Sequence, residues 1–310
     1  MFQRSWFVTF AAWTSKNRGL LCFFSRMRRS FLACGDGVDW KCQKSCDALD
    51  LLTGALFMRV YCCQHDIQWE DRSANHRRVS GLLKDAPLEP GSLVLLPEMF
   101  ASGFTFNVPL VAEGTEGATR AFLSEIAAER GVFMMGGIVS AGRNGRGRNE
   151  AVVFSPEGRE LACYCKLQTF TPGGESAVYE AGSATVLFNW RGALVAPFIC
   201  YDLRFPERQR VAAKKRPHLM TFIASWPDAR LSHWVKLLQA RAIENQCYVA
   251  GVNRIGSDPQ FHYSGRSMIV NPMGEVIADA GTLECIIGAE IEISSVEEYR
   301  VRMPFLEDAT

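Results

Sequence analysis

From residue 58 onward, short apolar runs bounded by turn residues recur along the chain, some followed by helix-period segments and others by tight turns. No other feature constrains the fold as much. Residues 58–63, 93–96 (between Gly91 and Pro97), 132–139, 218–224 and 248–252 read as buried strands. Residues 71–83, 115–130, 228–245 and 294–302 read as helices. In the second of these Phe122 and Ile126 share a face and Gly131 supplies the stop; in the third Trp234, Leu237, Leu238 and Ile243 are the apolar positions. Residues 151–166 read as a hairpin around Pro156-Glu157-Gly158, residues 185–200 as one around Arg191-Gly192, and residues 268–277 as one around Pro272-Met273-Gly274. Hairpins exclude a purely parallel sheet, while helices between single strand runs imply sheets covered on one face. The economical architecture is α/β (α+β): two mixed sheets face to face, each with helices outside, in one domain over residues 58–305.

The chain has 310 residues, 48% hydrophobic and 22% charged, with a net charge of +1 from 34 basic and 33 acidic residues. This is globular composition without the basic excess that a nucleic-acid partner calls for. No apolar run is long enough for a membrane-spanning helix. The 11 cysteines are odd in number and scattered, a poor disulfide framework, and a reducing, cytoplasmic setting fits them. Cys42 and Cys46 have no second pair nearby to complete a zinc site. Residues 1–57 stand apart. Their first 35 carry Arg4, Lys16, Arg18, Arg26, Arg28 and Arg29 and no acid. An upstream start followed by a disordered extension is the favoured reading, an organelle-targeting segment the alternative.

Three strand runs end on a residue that carries chemistry. Leu93-Val94-Leu95-Leu96-Pro97 leads to Glu98, Leu161-Ala162-Cys163-Tyr164-Cys165 to Lys166, and Val195-Ala196-Pro197-Phe198-Ile199 to Cys200. An acid, an amine and a thiol at strand ends form the inventory of a nucleophilic amide hydrolase. A neighbouring lysine favours the thiolate, and a carboxylate can take the thiol proton. The lysine and a backbone N–H, that of Tyr201, can hold the oxyanion. Arg204, four residues past the thiol, is either a cation for a substrate carboxylate or the partner of Asp202 or Glu207 in a structural ion pair. Trp226 and Phe104 are pocket walls or core aromatics. Asp202 reads as structural, and His233 is not needed as a base.

The segments Leu96-Pro97-Glu98-Met99-Phe100, Tyr164-Cys165-Lys166 and Cys200-Tyr201-Asp202-Leu203-Arg204-Phe205-Pro206 resemble, in this order, the three signatures of the nitrilase, or carbon–nitrogen hydrolase, superfamily. The resemblance spans residues 58–305. It implies a four-layer αββα sandwich, a homodimer, no cofactor and no metal. Pro97-Glu98-Met99-Phe100-Ala101-Ser102-Gly103-Phe104, Ala224-Ser225-Trp226-Pro227 and residues 240–253 resemble the omega-amidases within it. That likeness implies a small-molecule partner, the monoamide of a 2-oxo dicarboxylic acid such as 2-oxoglutaramate or 2-oxosuccinamate, hydrolysed to the diacid and ammonia. By position Glu98 would be the base, Lys166 the oxyanion and positioning cation, and Cys200 the nucleophile. Glu175, in Gly173-Gly174-Glu175, matches a second family glutamate that orients Lys166 or the substrate. Gln168 stands where many relatives carry histidine, and Thr171-Pro172-Gly173-Gly174 makes a glycine-rich lid beside it. Other amidases, carbamoylases and nitrilases of the superfamily share the triad and stay open as alternatives, with a non-catalytic scaffold of the same fold as a more distant one.

Overall fold

The computed structural model describes residues 57–308, so the reading of residues 1–57 falls, but for Phe57, outside the described residues. In chain order β1 (Phe57–Gln64), α1 (Arg72–Asp85) and β2 (Leu93–Leu95) precede α2 (Ala118–Arg130), β3 (Phe133–Ala141), β4 (Gly147–Phe154) and β5 (Glu160–Cys165). After the short β6 (Tyr179–Glu180) come β7 (Phe188–Trp190), β8 (Ala193–Ile199), α3 (Pro206–Ala213), β9 (Leu219–Ala224), α4 (Leu231–Asn245) and β10 (Tyr248–Asn253). A small hairpin of β11 (Ile255–Ser257) and β12 (His262–Ser264) leads to β13 (Met268–Val270), β14 (Val276–Asp279), β15 (Cys285–Glu292) and α5 (Ile293–Arg302).

One sheet runs β15-β1-β2-β3-β4-β5, with β6 beside β4, and the other runs β14-β13-β10-β9-β8-β7. Each is parallel at its centre, β1-β2-β3 and β8-β9-β10, and antiparallel outside it, except that β6 runs parallel to β4. Side-chain alternation sorts the layers. Val60 and Cys62 of β1 join the core shared with the second sheet, while Tyr61 and Cys63 face Val79 and Leu83 of α1 and Leu123 and Ala127 of α2. Thr221 Oγ of β9 reaches Met135 Sδ of β3 at 3.4 Å, across the two sheets. On the outer face of the second sheet, β10 packs under α4 so closely that a Cβ on Gly251 would lie 2.5 Å from Leu238. The result is the αββα sandwich. Each fully buried aliphatic side chain stabilises it by roughly 1.5–3 kcal/mol.

The helix ends follow local chemistry. Asp71 caps α1 by accepting the Ala74 N–H at 2.9 Å. Gly131, at φ 63°, stops α2. The start of α2 lies at Ala118 rather than at residue 115, because Glu113 accepts both the N–H (2.8 Å) and the hydroxyl (2.6 Å) of Thr119 and takes over the capping. Residues 228–230 form a 3₁₀ turn before α4, whose buried face is Trp234, Leu238, Arg241, Ala242 and Asn245. Ile243, one of the apolar positions of the sequence pattern, lies beside that face and is half-exposed. Among the described residues no helix is long and apolar enough to cross a membrane.

The centres of both sheets deliver their carboxyl ends to one rim. The chain leaves β2 toward Glu98, β8 toward Cys200 and β9 toward Ser225, and antiparallel β5 ends at the same rim with Lys166. Strand carboxyl ends are where open sheets present ligand sites.

Candidate active site

Glu98 follows Leu96-Pro97 out of β2, and the next residue, Met99, turns the chain at φ 47°. Strand β3 passes directly behind: a Cβ on Gly137 would lie 2.6 Å from the Glu98 Cα, so only glycine allows this approach. The Glu98 carboxylate is fully buried. Its Oε1 accepts from Lys166 Nζ at 2.8 Å and Asn149 Nδ2 at 2.7 Å, and its Oε2 accepts the Ser225 N–H at 2.8 Å.

Lys166 is clamped by its backbone, donating to the Asn149 carbonyl at 2.9 Å and accepting the Gly182 N–H at 2.8 Å. Its ammonium, also fully buried, donates to Glu175 Oε1 at 3.0 Å and Oε2 at 2.9 Å besides Glu98. Burial alone would favour the neutral amine, but the Glu175 and Glu98 carboxylates outweigh it and hold the pKa well above the usual lysine value. Glu175 opens a one-turn helix (Glu175–Val178) that Gly174, at φ 89°, turns into the site. It also accepts the Phe170 N–H at 2.5 Å and Asn149 Nδ2 at 3.0 Å.

Cys200 stands where β8 gives way to a 3₁₀ turn (Cys200–Arg204), in the left-handed region at φ 43°. A non-glycine residue there is strained, and such strain collects at functional sites. Cys200 as a residue is partly exposed, and its sulfur lies 3.9 Å from the Ser225 carbonyl. Burial pushes its pKa well up and the Glu98 charge adds to that, while Lys166 pulls the other way. The expectation that lysine favours the thiolate is therefore right in direction but outweighed, because two carboxylates already share the ammonium. The resting group is a thiol, and beside it stands a carboxylate able to accept its proton.

Lys166 and Cys200 line a pocket of about 390 Å³, measured to its open mouth, with the Glu98 and Glu175 carboxylates behind the lysine. Phe104, Trp226, Phe261 and Tyr263 wall it. Trp226 is wall and core at once: 2% exposed, packed on Trp234 at 5.6 Å between ring centres, and donating from Nε1 to the Arg230 carbonyl at 2.8 Å. Tyr201 lines the rim, its ring edge-on to Phe170 and Phe205. Its N–H lies in the first turn of the 3₁₀ segment, where a helix has no acceptor of its own. Arg204 makes neither of the ion pairs considered for it. Its guanidinium lies 4.7 Å over the Trp226 ring and 3.2 Å from His233 Nδ1. Asp202 instead accepts from Tyr164 Oη (2.7 Å), the Ile199 N–H (3.0 Å) and the Gln168 N–H (2.8 Å). It ties the Lys166 strand to the Cys200 turn, the structural role expected of it.

Sequence reading missed Asn149, Ser225 as a site residue, and Arg230. Asn149, between Arg148 and Glu150 just ahead of the hairpin read at residues 151–166, carried no signal. Arg230 carried none, since a lone arginine after Trp226 reads as surface.

The carbon-nitrogen hydrolase family profile matches residues 59–301. The chain is 33% identical over 250 residues to the 2-oxoglutaramate amidase of Bacillus subtilis, covering 80% of this chain and 96% of that one. It is 34% identical over 254 residues to the omega-amidase YafV of Escherichia coli, covering 81% and 96%. Among solved structures it resembles XC1258 of Xanthomonas campestris, a CN-hydrolase superfamily protein with an arsenic adduct in its active site, with a TM-score of 0.75 at 33% identity over 82% of this chain and 98% of that one. It also resembles Nit3 of Saccharomyces cerevisiae, of branch 10 of the nitrilase superfamily, with a TM-score of 0.73 at 26% identity over 80% and 94%.

Proposed function

The chain belongs to the carbon-nitrogen hydrolase family and is a hydrolase of non-peptide carbon–nitrogen bonds, and from that premise we propose that it deamidates the monoamide of a 2-oxo dicarboxylic acid through a thioester on Cys200. The observation that carries this reading is the buried ammonium of Lys166 held between Glu98 (2.8 Å) and Glu175 (2.9 Å) on the floor of the pocket that Cys200 faces.

In the proposed cycle Glu98 removes the thiol proton as the sulfur attacks the amide carbon. The carbonyl π electrons move onto oxygen, and the oxyanion is held by the Lys166 ammonium and the Tyr201 N–H. Glu98 returns the proton to nitrogen, the C–N bond breaks and ammonia leaves. Water then attacks the thioester with Glu98 again as base, releasing the acid and restoring the thiol. Glu175 and Asn149 keep Lys166 and Glu98 in place. Arg204 meets the substrate carboxylate and Trp226 walls the acyl chain. These steps call for no metal or organic cofactor. By the same resemblance the working form is a homodimer.

The narrower claim rests on the relatives' activities and on the basic wall of the pocket. Ammonia release from 2-oxoglutaramate, 2-oxosuccinamate, glutamine, nitriles and N-carbamoyl amino acids tests it. The highest kcat/KM is expected for a 2-oxo acid monoamide. If 2-oxoglutaramate and 2-oxosuccinamate are inert while another compound turns over quickly, the substrate assignment is wrong.

A further inference from the structure

We propose that Arg204 and Arg230 together form a two-cation subsite that takes the carboxylate end of the substrate and selects acids carrying a 2-oxo group over neutral amides and over amino acids; this rests on, and deepens, the amidase reading above. The two guanidiniums come from separate elements, the 3₁₀ turn after Cys200 and the 3₁₀ turn after β9, and both line the pocket that Cys200 faces. Each rests near an aromatic face, Arg204 at 4.7 Å over Trp226 and Arg230 at 5.3 Å over Phe170. The bond from Trp226 Nε1 to the Arg230 carbonyl, at 2.8 Å, pins the second turn to the first cation's platform.

Neither arginine has a carboxylate within ion-pair reach among the described residues, whereas Arg120, Arg241, Arg254, Arg266 and Arg300 each have one. The acids nearest in sequence are engaged elsewhere or stand in solvent. Asp202 holds the two strand ends together, and Glu207 and Asp228 are exposed. Among the described residues the one polar side-chain contact of Arg204 is His233. Two like charges in a half-buried wall are unfavourable: burial lowers the Arg204 pKa, and Arg230 lowers it further. An anion between them removes that penalty.

At the inner end of the pocket Lys166 is satisfied by Glu98 and Glu175, neither of which lines it, so the unmatched charge is that of the arginine pair. A carboxylate can accept from one guanidinium while an adjacent keto oxygen accepts from the other. An α-ammonium at the same place would face two cations, and among the described residues no acid lines the pocket to receive it. The chemical class selected is thus an ω-monoamide with a carboxylate and an acceptor, rather than a donor, beside it.

The test is calorimetric titration of the Cys200→Ala protein with glutarate at low ionic strength. Glutarate should bind saturably. Arg204→Gln or Arg230→Gln should each weaken it roughly 10- to 100-fold, the range for loss of one charge-assisted bond. Arg230→Lys should retain part of the affinity, and an unchanged thermal midpoint in each variant shows that the fold is intact. In the active enzyme the preference for 2-oxoglutaramate over the neutral amide pentanamide should fall by a similar factor in Arg230→Gln. No glutarate binding, or binding indifferent to both arginines, overturns the subsite. Arginine-dependent glutarate binding with no amide hydrolysed would leave the subsite standing and overturn the amidase reading instead.

Discussion

Lys166 divides its charge between two carboxylates, and that division decides the state of Cys200. The ammonium is bonded to Glu98 and Glu175 and so only partly counters the burial that keeps the thiol protonated. Replacing Glu98 by Gln removes a base and also a charge that disfavours the thiolate. The expected outcome is a split: hydrolysis falls by about 10²–10⁴-fold, the usual range for a general base, while alkylation of Cys200 by iodoacetamide rises. Mass-spectrometric labelling beside ammonia release checks it, and alkylation falling in parallel with kcat would mean that Glu98 ionises the thiol at rest. The other cysteines make a usable background. Burial pushes Cys163 and Cys247 up to about 12, so they should label slowly. At this scale the three residues that the fold brings together, Glu98, Lys166 and Cys200, were legible from strand ends and motif order. The protonation state was not, because it depends on burial and on Glu175, which reaches the lysine only in the folded chain.

Between elements, Asp202 is the main fastening. Its carboxylate receives donors from β5, from the segment after it and from the end of β8, so the Lys166 and Cys200 strand ends cannot shift independently. Burial raises its pKa from 3.8 to about 6, only partly offset by those donors. A carboxyl raised in the folded state binds its proton more readily there than in the unfolded chain. Its contribution to stability is therefore full below about pH 4 and is lost as pH rises through 6. Urea unfolding of the wild type minus Asp202→Asn should show a difference of about 2–3 kcal/mol between pH 4 and 7, declining with pH. A flat difference would mean that Asp202 titrates normally. Most elements were readable from periodicity, and those that escaped share one property, weak patterning. Strand β15 closes the first sheet against β1 but is only half-buried, with charged residues in its run. The β11–β12 hairpin, which brings Tyr263 to the pocket and borders Phe261, is largely polar. Arg254 holds that hairpin from beneath, bonding Asp66 at 3.1 Å and lying 4.5 Å from the Tyr263 ring, contacts between distant parts of the chain that no local pattern encodes.

In the molecule as a whole, the described residues, 57–308, fall in one compact unit, and every group placed in the site lies within it. We expect a chain starting at Gly54 to fold alone and to keep the kcat/KM of the full chain within about two-fold, because the inter-sheet core supplies the burial on which stability depends. Circular dichroism and ammonia release check this; loss of structure on truncation would show that the preceding residues belong to the fold. The sequence by itself determined the period of each strong strand and helix, the turns between them, the order of the three signatures and hence the family and the sandwich. These rest on interactions between near neighbours, which repeat in the chain as they do in space. Only the tertiary structure decided which side chains meet: Glu98 with Lys166 across 68 residues and with Ser225 across 127, Asn149 between two glutamates, and two arginines facing one pocket with no acid between them. Those encounters, and the charge states they impose, follow from long-range packing and desolvation, which leave no periodic trace in a linear chain.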